Sequence, residues 1–165
     1  MKATMMRRQV LFSALALATG AGVALAAMPG TAQSAPPGAA AVFSGYKDSY
    51  KLNTGANGLA EVGRLSLPEG SYTISAKLNL DVPDGGHHQT IRCFLRAGND
   101  FDRLYANHDG TLAHVPMSLN VVHTFTASGN AVLTCGHSYT AGGTDISFVK
   151  ITAVKASSLS NHRMP

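Results

Sequence analysis

The chain has 165 residues, of which only 13% are charged, and a formal net charge of +4. That length allows one domain of ordinary size and leaves no room for a cofactor-binding domain beside it. A charged fraction about half the usual one excludes an intrinsically disordered chain, which needs high charge and few apolar residues.

Lys2, Arg7 and Arg8 are the only charges before Lys47. The apolar run Val10-Leu11-Phe12-Ser13-Ala14-Leu15-Ala16-Leu17-Ala18 follows them, and Ala24-Leu25-Ala26 closes the segment. A basic start, a short apolar run and a small-x-small end predict an export signal over residues 1–26, cut after Ala26 or Ala27. A membrane anchor is disfavoured, because Ser13, Thr19, Gly20 and Gly22 interrupt a run that would need ~20 strongly apolar residues. Arg7-Arg8 fits a twin-arginine signal loosely, but Met6 stands where Ser or Thr is usual, so the general secretory route is the preferred reading. The expected location is secreted or extracellular, with no membrane contact after cleavage. Without Lys2, Arg7 and Arg8, ten basic residues face nine acidic ones, a net charge of +1. Those ten stand singly along the chain, so nucleic acid is not an expected partner. An unknown protein or surface ligand is.

Residues 27–41 are small, polar or proline-rich, carry no charge and predict a flexible linker. A β domain is expected over 42–157 and a disordered tail over 158–165. From Ala41 onward the apolar pattern has a period of two. Val62–Leu67 reads as a strand, Pro68-Glu69-Gly70 as a turn, and Tyr72–Asp81 as a second strand, the two forming a hairpin. In that second strand Tyr72, Ile74, Ala76, Leu78 and Leu80 alternate with polar residues. Asp84-Gly85-Gly86 is another turn. Thr90–Ala97, Phe101–Ala106, Met117–Thr126 and Ala131–Cys135 follow as strands, with Asp109-Gly110 and Ser128-Gly129-Asn130 as turns. The last strand, Asp145–Lys155, slips in phase between Phe148 and Val149, which predicts a bulge. Eight to ten short strands predict an all-β chain folded as an antiparallel β-sandwich.

Cys93 shares a strand face with Ile91 and Leu95, and Cys135 shares one with Ala131 and Leu133. Both thiols are expected in the core, and an oxidising destination makes a Cys93–Cys135 disulfide the natural reading. Two buried free thiols or a metal pair are the alternatives, though no Cys-x-x-Cys spacing is present.

Leu67-Pro68-Glu69-Gly70-Ser71-Tyr72-Thr73-Ile74-Ser75-Ala76-Lys77 resembles the proline-glycine-x-tyrosine lead into a strand of C1q/TNF-like jelly rolls. Val121–Cys135 resembles their later hairpin, and Ile151-Thr152-Ala153-Val154-Lys155 their closing strand. Over residues 59–156 the chain also resembles a group of small exported actinobacterial proteins. The C1q/TNF-like resemblance implies a ten-stranded jelly roll, a possible homotrimer and partner binding through the surface.

No catalytic set, cofactor or metal is assigned. Ser-x-x-Lys occurs at Ser44–Lys47 and Ser147–Lys150, but in strands an offset of three points side chains to opposite faces. All seven histidines lie within residues 87–162. Asp84, His87 and His88 form one candidate transition-metal loop. Asp100 and Asp102, with Asn99 and Asp109, are candidate oxygen ligands for calcium, although turn chemistry explains them more simply. His123 and His137 share faces with core residues and are expected to be hydrogen-bonded inner or rim side chains. Among the five tyrosines, Tyr46, Tyr50, Tyr105 and Tyr139 are candidate exposed platforms for a carbohydrate; Tyr72 and several phenylalanines have core phases. The favoured function is an exported, non-catalytic binding or structural module. The alternatives are a small exported hydrolase with a dispersed active site and a calcium- or metal-dependent module.

Overall fold

Alternation of apolar and polar residues resolves into eight strands: β1 (Val42–Leu52), β2 (Ala60–Leu67), β3 (Gly70–Val82), β4 (Gln89–Ala97), β5 (Asp100–His108), β6 (Ala113–Phe125), β7 (Gly129–His137) and β8 (Thr144–Ala156). The computed structural model describes residues 40–55, 58–82, 89–109, 111, 113–137, 144–162 and 164–165. The expected export signal and residues 27–39 of the linker lie outside the described residues, as do Asp84, His87, His88 and Tyr139.

The strands form two four-stranded antiparallel sheets, ordered β1-β8-β3-β6 and β2-β7-β4-β5. Every connection except β4–β5 passes from one sheet to the other, which is the jelly-roll arrangement of two packed sheets. The expected β2–β3 hairpin is therefore corrected. β2 pairs with β7, while β3 pairs with β6 and β8. β2 and β3 each have one apolar face, and that face is buried equally well whether its neighbour in sequence lies beside it or across the sandwich. Eight strands, rather than the ten implied by the resemblance, are present among the described residues.

The core lies between the sheets. β3 buries Tyr72, Ile74, Ala76, Leu78, Leu80 and Val82 on one face. Opposite it, β4 and β7 contribute Ile91, Cys93, Leu95, Ala131, Leu133 and Cys135. Each fully buried Leu or Ile contributes about 1.5–3 kcal/mol. The Tyr72 hydroxyl donates to the Pro68 carbonyl at 3.1 Å, so its one polar atom is satisfied. Pro116 is accommodated in β6 because that strand is a sheet edge and bonds to β3 alone.

The phase slip in β8 is a bulge. Lys150 faces Lys77 and Ser147 faces Asn79, so Phe148 and Val149 together oppose Leu78. Phe148 adopts φ 52°, and its ring is exposed. The extra residue lets Ile146 and Val149 both point inward. It also corrects one expectation: Ser147 and Lys150 lie on the same, outer face of the sheet, whereas Ser44 and Lys47 do point apart.

Cys93 and Cys135 are direct cross-strand partners on β4 and β7 and form a disulfide, with Cα atoms 4.1 Å apart. That spacing belongs to the non-hydrogen-bonded position of an antiparallel ladder, where side chains approach most closely. The bond staples the two central strands of one sheet from inside the core.

Candidate functional site

Among the described residues, β4 and β5 form the one hairpin between sequence neighbours that pair in a sheet. Gly98 and Asn99 are its two turn residues, and Gly98 adopts φ +56°, which a glycine at the first turn position allows without steric cost. The turn sets the register: Arg96 faces Phe101, Phe94 faces Arg103 and Arg92 faces Tyr105. Ile91, Cys93 and Leu95 point into the core, so Arg92, Phe94 and Arg96 must point out. Each of these three outward cross-strand pairs thus joins one arginine to one aromatic ring, and the order reverses from row to row.

The rings and guanidinium groups are in contact. The Arg96 guanidinium lies 5.5 Å from the Phe94 ring centroid and 5.0 Å from that of Phe101. Arg103 lies 6.0 Å from the Tyr105 centroid. Such stacking attracts the cation to the ring face and limits the side chain's freedom. Phe101 and Tyr105 are 50% and 51% exposed. Neither Arg96 nor Arg103 has a carboxylate within salt-bridge distance among the described residues.

Alternation along β5 separates the charges. Phe101, Arg103 and Tyr105 face outward, while Asp100 and Asp102 turn towards β6 on the other sheet. Asp100 Oδ2 lies 2.8 Å from His123 Nδ1, and Asp102 Oδ2 accepts the Asn120 amide at 2.8 Å. β2 adds Arg64 to the outer face, through its pairing with Val132. Arg64 is paired with Glu61; that hydrogen bond holds the carboxyl below its ordinary pKa and raises the guanidinium. All the described arginines therefore lie on the outer face of the β2-β7-β4-β5 sheet. The described lysines, Lys47, Lys51, Lys77, Lys150 and Lys155, belong to the other sheet. Basic residues that stand singly in the chain are thus gathered by strand pairing. The sequence carried the signal as Arg92-x-Phe94-x-Arg96 and Phe101-x-Arg103-x-Tyr105, but it becomes a surface only once the Gly98-Asn99 turn aligns the two runs.

The candidate metal ligands are not brought together. Asp100 and Asp102 stand at the start of β5 and Asp109 just beyond its end, so Asp102 and Asp109 are roughly 23 Å apart along an extended strand. Asp109 accepts the Thr111 hydroxyl at 2.7 Å and its amide at 3.1 Å, and these bonds lower its pKa. Among the described residues no group of three His, Cys, Asp or Glu is placed to hold a metal ion.

His123 faces inward with its side chain 18% exposed, and its Cε1–Nε2 edge lies against Gly98. No serine or threonine hydroxyl is hydrogen-bonded to it among the described residues. His137 lies at the far end of β7, buried, with no hydrogen-bond partner for Nδ1 among the described residues. The two histidines are thus at opposite ends of the sandwich. Of the candidate platforms, Tyr46 and Tyr105 are exposed, whereas Tyr50 packs against the core. Tyr46 borders a groove of about 270 Å³ between the edges of β1 and β2, which Gly45 and Gly63 leave open above Val149 and Ile151. Lys47 Nζ donates to the Val62 carbonyl at 3.0 Å, tying the two edge strands beside this groove.

No protein-family model matches the chain, and no curated protein matches it significantly. Among solved structures it is similar to a chain in the structure of infectious bursal disease virus Gx strain, with 16% identity and a TM-score of 0.47, covering 70% of this chain and 32% of that one. It therefore spans about a third of the length of the virus chain.

Proposed function

We propose that this chain is an exported, non-catalytic binding module that holds its ligand on the outer face of the β2-β7-β4-β5 sheet, at or outside the cell surface. The observation that carries the reading is the alternating arginine–aromatic ladder of β4 and β5, with its arginines stacked on rings and its acidic neighbours turned away. A face built on paired strands, one of them cross-linked to β7, is rigid before a ligand arrives, which lowers the entropy cost of binding. The basic and apolar pattern of residues 1–26 supports export, and a buried disulfide is compatible with an oxidising extracellular location. Kinship with C1q/TNF-like domains and with small exported actinobacterial proteins, and a homotrimer, belong to the same proposal.

Expression of the full chain in an export-competent bacterium tests the location. The expected product is recovered outside the cells without its first 26 or 27 residues; a full-length product retained in the cytoplasm overturns export. Binding of the purified protein to intact cell envelopes tests the face. Loss of binding in Arg96→Glu/Arg103→Glu is expected, and equal binding by both proteins overturns the assignment. Light scattering tests the trimer, which a strict monomer at high concentration removes.

A further inference from the structure

We infer that the ligand of this face is a polyanionic glycan, a polysaccharide whose sugars carry carboxylates, gripped by Arg96 and Arg103. The inference rests on the reading of the β4–β5 face as a binding surface and adds the chemistry of what it binds.

The charges point to carboxylates. Every described cation of this face is an arginine, whose planar fork matches a carboxylate with two parallel hydrogen bonds. Arg96 and Arg103 are held on rings, so little of their freedom is left to lose on binding. Successive arginines alternate between β4 and β5 and stand two residues apart along the strands. That places them about 7 Å apart along the sheet and about 4.8 Å across it, on the order of 8 Å overall. A flat row of separated cations suits an extended polymer with one charge on each sugar, engaged at several points at once. It does not suit one small anion, because none of the grooves found among the described residues at β1–β2, β2–β7 or β3–β6 is lined by these arginines.

The same geometry disfavours nucleic acid. Base stacking needs an open ring face. Here the Arg96 guanidinium lies over Phe94 and Phe101, and that of Arg103 over Tyr105. Duplex DNA carries a charge every ~1.7 Å and selects strongly basic domains, whereas this chain without its first 26 residues has a net charge of +1. What remains exposed is ring edges and partial faces beside fixed guanidinium forks, which suits the C–H faces and carboxylates of sugar acids.

The test is calorimetric titration of the exported form with polygalacturonate, neutral dextran and oligothymidylate, at about 50 and 200 mM salt. Polygalacturonate is expected to bind, with dextran showing no heat and oligothymidylate binding more weakly per charge. Arg96→Ala/Arg103→Ala is expected to weaken polygalacturonate binding about tenfold or more and to flatten its salt dependence. Lys77→Ala, on the other sheet, is expected to bind like wild type. An unchanged melting temperature in the double variant assigns its loss to the face rather than to folding. Absence of polygalacturonate binding, wild-type affinity in the double variant, or tighter binding of oligothymidylate overturns the inference. If envelope binding still depends on Arg96 and Arg103 while polygalacturonate fails, the glycan assignment falls and the binding face stands; if both fail, both fall.

Discussion

His123 Nδ1 lies 2.8 Å from Asp100 Oδ2, and this pair joins β6, the edge of one sheet, to β5, the edge of the other. The β4–β5 turn closes over it: a Cβ on Gly98 would sit 2.5 Å from the imidazole. The His123 ring also meets Phe125 edge-on, with centroids 4.4 Å apart. One side of the sandwich is thus latched beside the turn that aligns the arginine–aromatic ladder.

Gly98→Ala combines two costs, a positive φ and a collision with the His123 ring. The expected loss is about 1–3 kcal/mol of unfolding free energy. Asp100→Ala removes only the hydrogen bond and is expected to cost about 1–2 kcal/mol, because the carboxylate is partly solvated. Urea unfolding midpoints of the two variants measure both.

The disulfide closes a sequence separation of 42 residues. In the chain-entropy model such a loop stabilises by about 4 kcal/mol. Reduction, or Cys93→Ala/Cys135→Ala, is expected to lower the urea midpoint and the melting temperature sharply. An unchanged melting curve under reductant would show that the bond is not formed in solution.

Phe148 holds a left-handed backbone conformation while its ring stays in solvent. Phe148→Gly relieves the backbone strain, offsets its own added unfolded-state entropy and loses little packing. Unfolding free energy is expected to stay constant or rise by up to about 1 kcal/mol. Loss of more than that would show that the ring packs against the sheet.

Asp81 sets an acid-sensitive contribution. Burial raises its pKa, but hydrogen bonds from Ser147 and His114 outweigh this and leave it below its ordinary value. A depressed carboxyl contributes stability above its unfolded pKa and loses it as pH falls through the folded one. The stability gap between wild type and Asp81→Asn is therefore expected to be constant above about pH 5 and to shrink at lower pH. Denaturant titrations across that range read it directly; a gap independent of pH removes the role.

Much of the fold was legible residue by residue. The alternation from Tyr72 to Leu80 predicts β3 and its buried face, and the slip at Phe148 and Val149 predicts the bulge. The apolar faces around Cys93 and Cys135 predict the disulfide. The expected β2–β3 hairpin does not form, because Pro68-Glu69-Gly70 turns the chain equally well within a sheet or between two. The bulge also carried Ser147 and Lys150 to one face, which parity alone forbids. Asp109 is near Asp100 and Asp102 in sequence, yet an extended strand holds it far from them.

The sequence by itself determines which residues of each strand point inward, because in a pleated strand that is a matter of parity and of where apolar residues fall. It does not determine which strands lie side by side, since the hydrogen-bonding groups of every strand edge are chemically alike. Only the tertiary structure decided that β4 lies between β5 and β7, and that Arg64 stands in the same row as Val132, Arg96 and Phe101. The arginine–aromatic face is the product of that choice: local alternation points its side chains outward, and non-local pairing makes them neighbours.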